Sequence, residues 1–138
     1  MKTIVTGGCG FIGSHLVERL IHDGHSVVVI DNLSTGRFEN LEAIKNHSEL
    51  RFIKADISKS EEISNFFRDV DWVFHLAGVA DIVPSIENPE LYFNVNVSGT
   101  MNVLQCAKNA NIKKNTECTG FFDEITITAA NIVMAEKR

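Results

Sequence analysis

Short all-apolar runs alternate with amphipathic stretches, a glycine-spaced turn follows the first run, and an acidic residue closes the second. Together these predict a doubly wound α/β domain with a parallel sheet, of the Rossmann type. Each crossover must pack back onto the strands it joins, so helices are expected on both faces of the sheet. The pattern holds through residue 112 and dissolves where a fifth strand is due, so the fold is expected to be truncated after about strand five.

The elements follow in order. Thr3-Ile4-Val5 is β-branched and closed by Gly7-Gly8, which predicts a buried first strand. Residues 10–23 carry Ile12, Leu16 and Leu20 at every fourth position, widened by Val17 and Ile21 and stopped by Gly24, which predicts an amphipathic helix. Val27-Val28-Val29-Ile30 has no polar alternation and reads as a strand covered on both faces. A short helix is expected over residues 39–46 and a third strand over 50–55. Ser58-Lys59-Ser60-Glu61 has the form of a capping box opening a helix that buries Ile63, Phe66 and Phe67. Residues 72–76 predict a fourth strand. Asn88 as N-cap and Pro89 in the first turn predict a long helix to about Asn109. Beyond Asn111 the pattern weakens: 113–119 is polar, Phe121-Phe122 and residues 125–127 are apolar but late, and 129–137 reads as a helix.

Bulk properties bound the function. A chain of 138 residues is one domain's length, and at this size about two-thirds of the unfolded surface is buried. With 44% hydrophobic and 22% charged residues the composition is that of a soluble globular protein. A net charge of −5 argues against nucleic acid or an anionic membrane as partner, and no apolar run suffices for a membrane span or a signal peptide. Cys9, Cys106 and Cys118 are scattered and odd in number, as expected of reduced thiols in the cytoplasm. No metal-ligand spacing occurs.

The chemistry concentrates in Thr6-Gly7-Gly8-Cys9-Gly10-Phe11-Ile12-Gly13. Gly7 permits a tight turn off the strand, Gly10 lets the backbone approach a pyrophosphate at a bend that a branched residue avoids, and Gly13 allows close helix–sheet packing. The helix N-terminus then offers free N–H groups and the positive end of its dipole to phosphates. Asp31, ending the second strand, is positioned to accept both hydroxyls of an adenosine ribose and to repel a 2′-phosphate, which selects NAD over NADP. The alternative is that the glycines serve packing only and Asp31 forms a turn.

TGGCGFIGSHLVERL, DNLSTGR, ADIS, VFHLAG and NVSGTMNVLQCA, in this order, resemble the extended short-chain dehydrogenase/reductase family. Within it the pattern is most similar to the NAD-dependent nucleotide-sugar epimerases and dehydratases, the UDP-glucose 4-epimerase type among them, over residues 1–112. The resemblance implies that Phe11 and Ile12 add backbone contacts to the pyrophosphate. It implies that Asp31 and Asn32 bind the adenosine ribose with Ser34, Thr35 and Gly36 beside them, and that Asp56 and Ile57 flank the adenine. Leu76, Ala77 and Gly78 are then expected along the cofactor near its second ribose, Asn96 behind the nicotinamide, and Ser85 near the substrate. Blander roles stand beside these: Asp56 as the polar end of a strand, Asn96 as a helix amide paired with backbone, and His75 as a core histidine or loop anchor, with a base as its alternative. Cys9 is read as a small loop residue, against the alternative of a thiolate favoured by the helix N-terminus.

The same family uses a Tyr-x-x-x-Lys pair, in which lysine lowers the pKa of the tyrosine base. Here the single tyrosine, Tyr92, is followed by Asn96, and Lys137 is preceded by Val133, so no catalytic residue is assigned. The expectation is an NAD-binding domain over residues 1–112, a divergent tail over 113–138 that is foreign or frameshifted, and no substrate domain. Three functions fit: a catalytically incomplete portion of an epimerase/dehydratase, half of a split enzyme completed by a C-terminal fragment, or a non-catalytic dinucleotide-binding regulatory module. A nucleotide sugar is the ancestral substrate in the first two, and a homo-oligomer is a further candidate assembly.

Overall fold

The computed structural model describes residues 1–112 in full and residues 133–136 as backbone. Five strands form one sheet in the order β3-β2-β1-β4-β5. They are β1 Lys2–Thr6, β2 Ser26–Asp31, β3 Leu50–Lys54, β4 Trp72–His75 and β5 Val133–Glu136. The first four are parallel: β1 lies between β2 and β4, with Thr6 opposite both Ile30 and His75. This is the Rossmann-type α/β arrangement.

The all-apolar strands explain the two layers. Successive side chains of a strand point to opposite faces, so Ile4, Val28 and Ile30 enter one core while Val5, Val27 and Val29 enter the other. Helix α1 (Phe11–His22) closes the second core with Val17, Leu20 and Ile21. The first core is closed by α2 (Ser60–Ile63), its 3-10 continuation Ser64–Phe67, and α5 (Thr100–Asn109), which supply Ile63, Phe67, Val103, Cys106 and Ala107.

Several expectations are corrected. The buried stripe of α1 runs through Gly13, Ser14, Val17, Leu20 and Ile21, whereas Ile12 is 59% exposed because the first turn stands clear of the sheet. Instead of a helix over 39–46 there is a single 3-10 turn, Phe38–Leu41, followed by turns, and only Leu41 is buried there. The capping box does not form. Ser58 turns its hydroxyl back to Asp56 Oδ1 (2.8 Å), Lys59 is the N-cap, and Glu62 rather than Glu61 accepts the Asp56 N–H (2.9 Å).

Asn88 does cap the next helix, accepting the Leu91 N–H at 3.2 Å, with Pro89 in its first turn. That helix starts as α4 (Pro89–Phe93), loosens into a π segment (Asn94–Gly99) and continues as α5 to Asn109. A short helix that the pattern does not announce, α3 (Ile82–Glu87), precedes it. The helix expected over 129–137 is replaced by β5, which pairs antiparallel with β4, Val133 opposite His75. The unpaired edge of β4 offers a row of backbone donors and acceptors that a helix there would leave empty. The fifth strand sought at 113–119 and the apolar residues of 121–127 lie outside the described residues. Among the described residues no helix is long and apolar enough to cross a membrane.

Candidate functional site

A cleft of about 380 Å³ opens at the C-terminal edge of the sheet. It sits over the point where the connections reverse, β2 and β3 lying to one side of β1 and β4 to the other, which is where open α/β sheets bind ligands. Its lining includes Gly7, Gly10, Phe11, Ile12, Gly13, Asp31, Asn32, Ser34, Thr35, Gly36, Ile57, Leu76, Ala77 and Gly78. Of the cofactor-site residues expected from the sequence, only Asp56 and Asn96 are not among them. Residues 30, 55, 79, 80 and 95 (Ile30, Ala55, Val79, Ala80 and Val95) also line it and were not anticipated. Ile30 and Ala55 directly precede Asp31, which ends β2, and Asp56, which follows β3, and that is a signal for the first pair; Val95 carries none.

The glycines divide their work. Gly7 has φ +69° and donates its N–H to Ile30 O (2.9 Å). A Cβ on it would stand 2.6 Å from Ala77 N, so the 76–80 loop could not pass. A Cβ on Gly13 would land on the Gly7 carbonyl oxygen, which is the close helix approach expected of it. Gly10 is different. Its backbone (φ −74°, ψ 175°) is extended and open to any residue, so no bend demands glycine there, and a Cβ would meet only Gly7 O at 3.2 Å. What its missing side chain leaves is space in the cleft. Helix α1 starts at Phe11 with no side-chain cap and no acid in its first turn. Its leading N–H groups therefore lack intrahelical acceptors at the positive end of the dipole.

Asp31 is 8% exposed at the cleft wall. Its Oδ2 accepts the Cys9 N–H (3.0 Å) and its Oδ1 the Leu33 N–H (2.8 Å). The second bond holds Leu33 at φ 61°, a conformation that costs a leucine about 1–2 kcal/mol. Asn32 Oδ1 in turn accepts the Ser34 N–H (2.9 Å). Cys9 O receives Arg37 N–H (3.0 Å) and Asn40 Nδ2 (2.8 Å), so the loop after β2 is stitched to the glycine loop. Burial first, then the charges of Asp31 and Glu39, push the Cys9 thiol up to about 12, which removes the thiolate alternative.

On the other wall, the chain after β3 is pinned by Asn102 Nδ2, which donates to Ile57 O and Ser58 O (both 2.9 Å). Asp56 is half-buried just outside the lining, its Oδ1 accepting both the N–H (2.9 Å) and O–H (2.8 Å) of Ser58. Asn96 is buried in the π segment. It grips Val79 twice, Oδ1 accepting the N–H (2.9 Å) and Nδ2 donating to the carbonyl (2.8 Å), which is the backbone-paired helix amide. Ser85 does not line the cleft; its hydroxyl donates to Ile82 O (2.6 Å) within α3. His75 is 1% exposed, a core histidine held between Thr6 and Thr100.

The GDP-mannose 4,6 dehydratase family model matches residues 4–121. The chain belongs to this family. Family relatives carry more than one activity. A UDP-glucose 4-epimerase of Mycolicibacterium smegmatis is 42% identical over 117 residues, 83% of this chain but 37% of that protein. Among solved structures, a UDP-N-acetylglucosamine 4-epimerase from Methanobrevibacter ruminantium M1 is 42% identical with a TM-score of 0.74, covering 81% of this chain and 35% of that one. A dTDP-glucose 4,6-dehydratase from Streptomyces venezuelae, solved with NAD bound, is 36% identical with a TM-score of 0.75, over 80% and 36%. The chain thus spans little more than a third of the length of the family relatives it matches.

Proposed function

We propose that residues 1–112 are the NAD-binding unit of a nucleotide-sugar epimerase/dehydratase, that residues 113–138 diverge from the family pattern, with the family match ending at residue 121, and that the chain performs no turnover by itself. The observation that carries this reading is the cleft at the sheet's switch point. It joins a side-chain-free approach at Gly10, the uncapped start of α1 and the carboxylate of Asp31. The residues fit the cofactor. The pyrophosphate would lie on the N–H groups of Phe11, Ile12 and Gly13. Each Asp31 oxygen spends one acceptor site on backbone and keeps another for a ribose hydroxyl. Asn32, Ser34, Thr35 and Gly36 would border that ribose, Asp56 and Ile57 the adenine, and Leu76, Ala77 and Gly78 the second ribose. Asn96 would act from behind by holding Val79.

NAD, when bound, supplies a hydride acceptor. The Tyr-x-x-x-Lys pair that would supply a base for the sugar hydroxyl proton is absent from these 138 residues. Tyr92 has no lysine four residues on, and desolvation, then the Asp81 charge, raise its pKa, opposite to what a tyrosinate base needs. A nucleotide sugar would require the portion that relatives have beyond the match, from the same polypeptide or from a complementing fragment. Buried free thiols at Cys9 and Cys106 support a cytoplasmic setting.

Calorimetric titration of the chain with NAD and NADP tests the reading. NAD is expected to bind at least about tenfold more tightly, because Asp31 faces any 2′-phosphate. Equal affinities would sink the assignment of Asp31. With NAD and a panel of UDP-, GDP- and dTDP-sugars, no product sugar above a protein-free control is expected; turnover would show that a base has been overlooked.

A further inference from the structure

We propose that His75 is a positioning residue for the cleft: fixed as the neutral Nε2–H tautomer, it joins the end of β1 to the π segment and so holds the 76–80 wall in place. The proposal deepens the NAD-binding reading and rests on it for its functional consequence.

The hydrogen positions follow from the geometry. Thr100 has one hydroxyl hydrogen and gives it to the Asn96 carbonyl at 2.6 Å. Toward His75 Nε2, 3.0 Å away, Thr100 Oγ1 can then only accept, so Nε2 carries the ring hydrogen. A neutral imidazole has one N–H, so Nδ1 is bare and accepts the Thr6 hydroxyl at 2.6 Å. Thr6 Oγ1, its hydrogen spent, is left to accept the Ala77 N–H at 3.4 Å. Every donor in this series has one direction, from Ala77 N–H through Thr6 to His75, and from His75 through Thr100 to Asn96.

Asn96 closes the circuit. The residue whose carbonyl ends the series also grips Val79 with both ends of its side-chain amide. The 76–80 loop is therefore tied at Ala77 by Thr6 and at Val79 by Asn96, and those two ties are joined through His75 and Thr100. All five loop residues line the cleft. Thr6 and His75 sit opposite each other in the register of β1 and β4, at 0% and 1% exposure. Water is not at hand there to replace a lost bond. An apolar residue at 75 would leave the Thr6 hydrogen without its acceptor and deprive Thr100 Oγ1 of the N–H it accepts, although Thr100 would keep its bond to Asn96 O. A protonated ring would present a donor to Thr6, which would have to turn its own hydrogen away from the only acceptor it has in this series. Burial alone pushes the His75 pKa down to about 4, which keeps the neutral form at ordinary pH.

The test uses the full 138-residue chain. Side-chain 15N NMR should report the Nε2–H tautomer for His75; the Nδ1–H tautomer overturns the proposal. Thr100→Val keeps the shape and deletes the hydroxyl, whereas Thr100→Ser keeps the hydroxyl. Thr100→Val should weaken NAD binding about three- to tenfold and speed amide exchange at Ala77 and Val79 beyond any global destabilisation, and Thr100→Ser should restore both. Equal behaviour of the two variants, or exchange that rises uniformly across the sheet, would make His75 a core residue only. If the unmodified chain binds no NAD, the cofactor reading fails, while the tautomer and the local exchange at Ala77 and Val79 still decide whether His75 holds the wall.

Discussion

Replacing Gly10 by alanine should separate binding from folding. The structure allows the cost to the fold to be bounded. The backbone there is extended, so no strain arises from φ, and the new Cβ meets only Gly7 O at 3.2 Å, a contact relieved by a few tenths of an ångström. Gly10 is also the N-cap of α1, where alanine is poorer than glycine by up to about 1 kcal/mol. A less flexible unfolded chain returns about 0.4–1 kcal/mol. The net change in stability should lie within about 1 kcal/mol. Binding is another matter, because on the proposed reading the methyl group would occupy the space through which a pyrophosphate would reach the α1 N–H groups. Loss of one charge-assisted hydrogen bond, about 1.5–3 kcal/mol, corresponds to roughly ten- to a hundredfold in NAD affinity. Two controls frame the result. Gly13→Ala would drive a methyl group into the backbone of Gly7 and Gly8, which has no flexible end to yield, and should cost roughly 1–3 kcal/mol or more of stability. Gly24→Ala meets nothing within 4 Å but sits at φ +81°, so it should lose about 1–2 kcal/mol of stability and no NAD affinity. Urea unfolding and calorimetric titration measure the two quantities side by side. Unchanged NAD affinity in Gly10→Ala would refute the glycine loop as the phosphate site.

Three further outcomes are expected. The unfolded chain protonates His75 near 6.5 and the folded chain near 4, so stability present above pH 6.5 should fall as pH drops toward 4, by about 3 kcal/mol in all; urea midpoints at pH 7 and 4.5 should differ less in His75→Gln, and an equal difference would contradict the buried neutral ring. Asp31→Asn should narrow the preference for NAD over NADP and also destabilise by about 1–3 kcal/mol, since an amide NH2 must then face either the Cys9 or the Leu33 N–H; a wholly neutral effect on unfolding would show that those two bonds are not made. Iodoacetamide should leave Cys9 unlabelled in the folded chain and label it in urea, as mass spectrometry of the peptide would read, because burial and two nearby acids hold the thiol protonated.

Sequence alone determined those features whose cause lies within a few residues along the chain. All-apolar runs specify strands covered on both faces, Asn88-Pro89 starts a helix, and glycines at 7, 10 and 13 with Asp31 at a strand end mark residues that line one cleft. Where two local signals compete, tertiary context chose. Ser58-Lys59-Ser60-Glu61 has capping-box spacing, yet Asp56 draws in the Ser58 hydroxyl and Glu62 takes the Asp56 N–H, because the chain there is pinned to α5 through Asn102. Ile12 fits the apolar stripe by period but lies on the turn that faces the cleft instead of the core. The roles of His75 and Asn96 were legible as a core or loop-anchoring histidine and a backbone-paired amide, but their partners were not. Thr6 and His75 are 69 residues apart in sequence and Asn96 lies 17 from Val79. What brings them together is the register of β1 against β4 and the loosening of the long helix at Asn94–Gly99. A buried polar group takes whichever donor or acceptor the folded backbone sets within about 3 Å of it, and that choice exists only once the sheet has assembled.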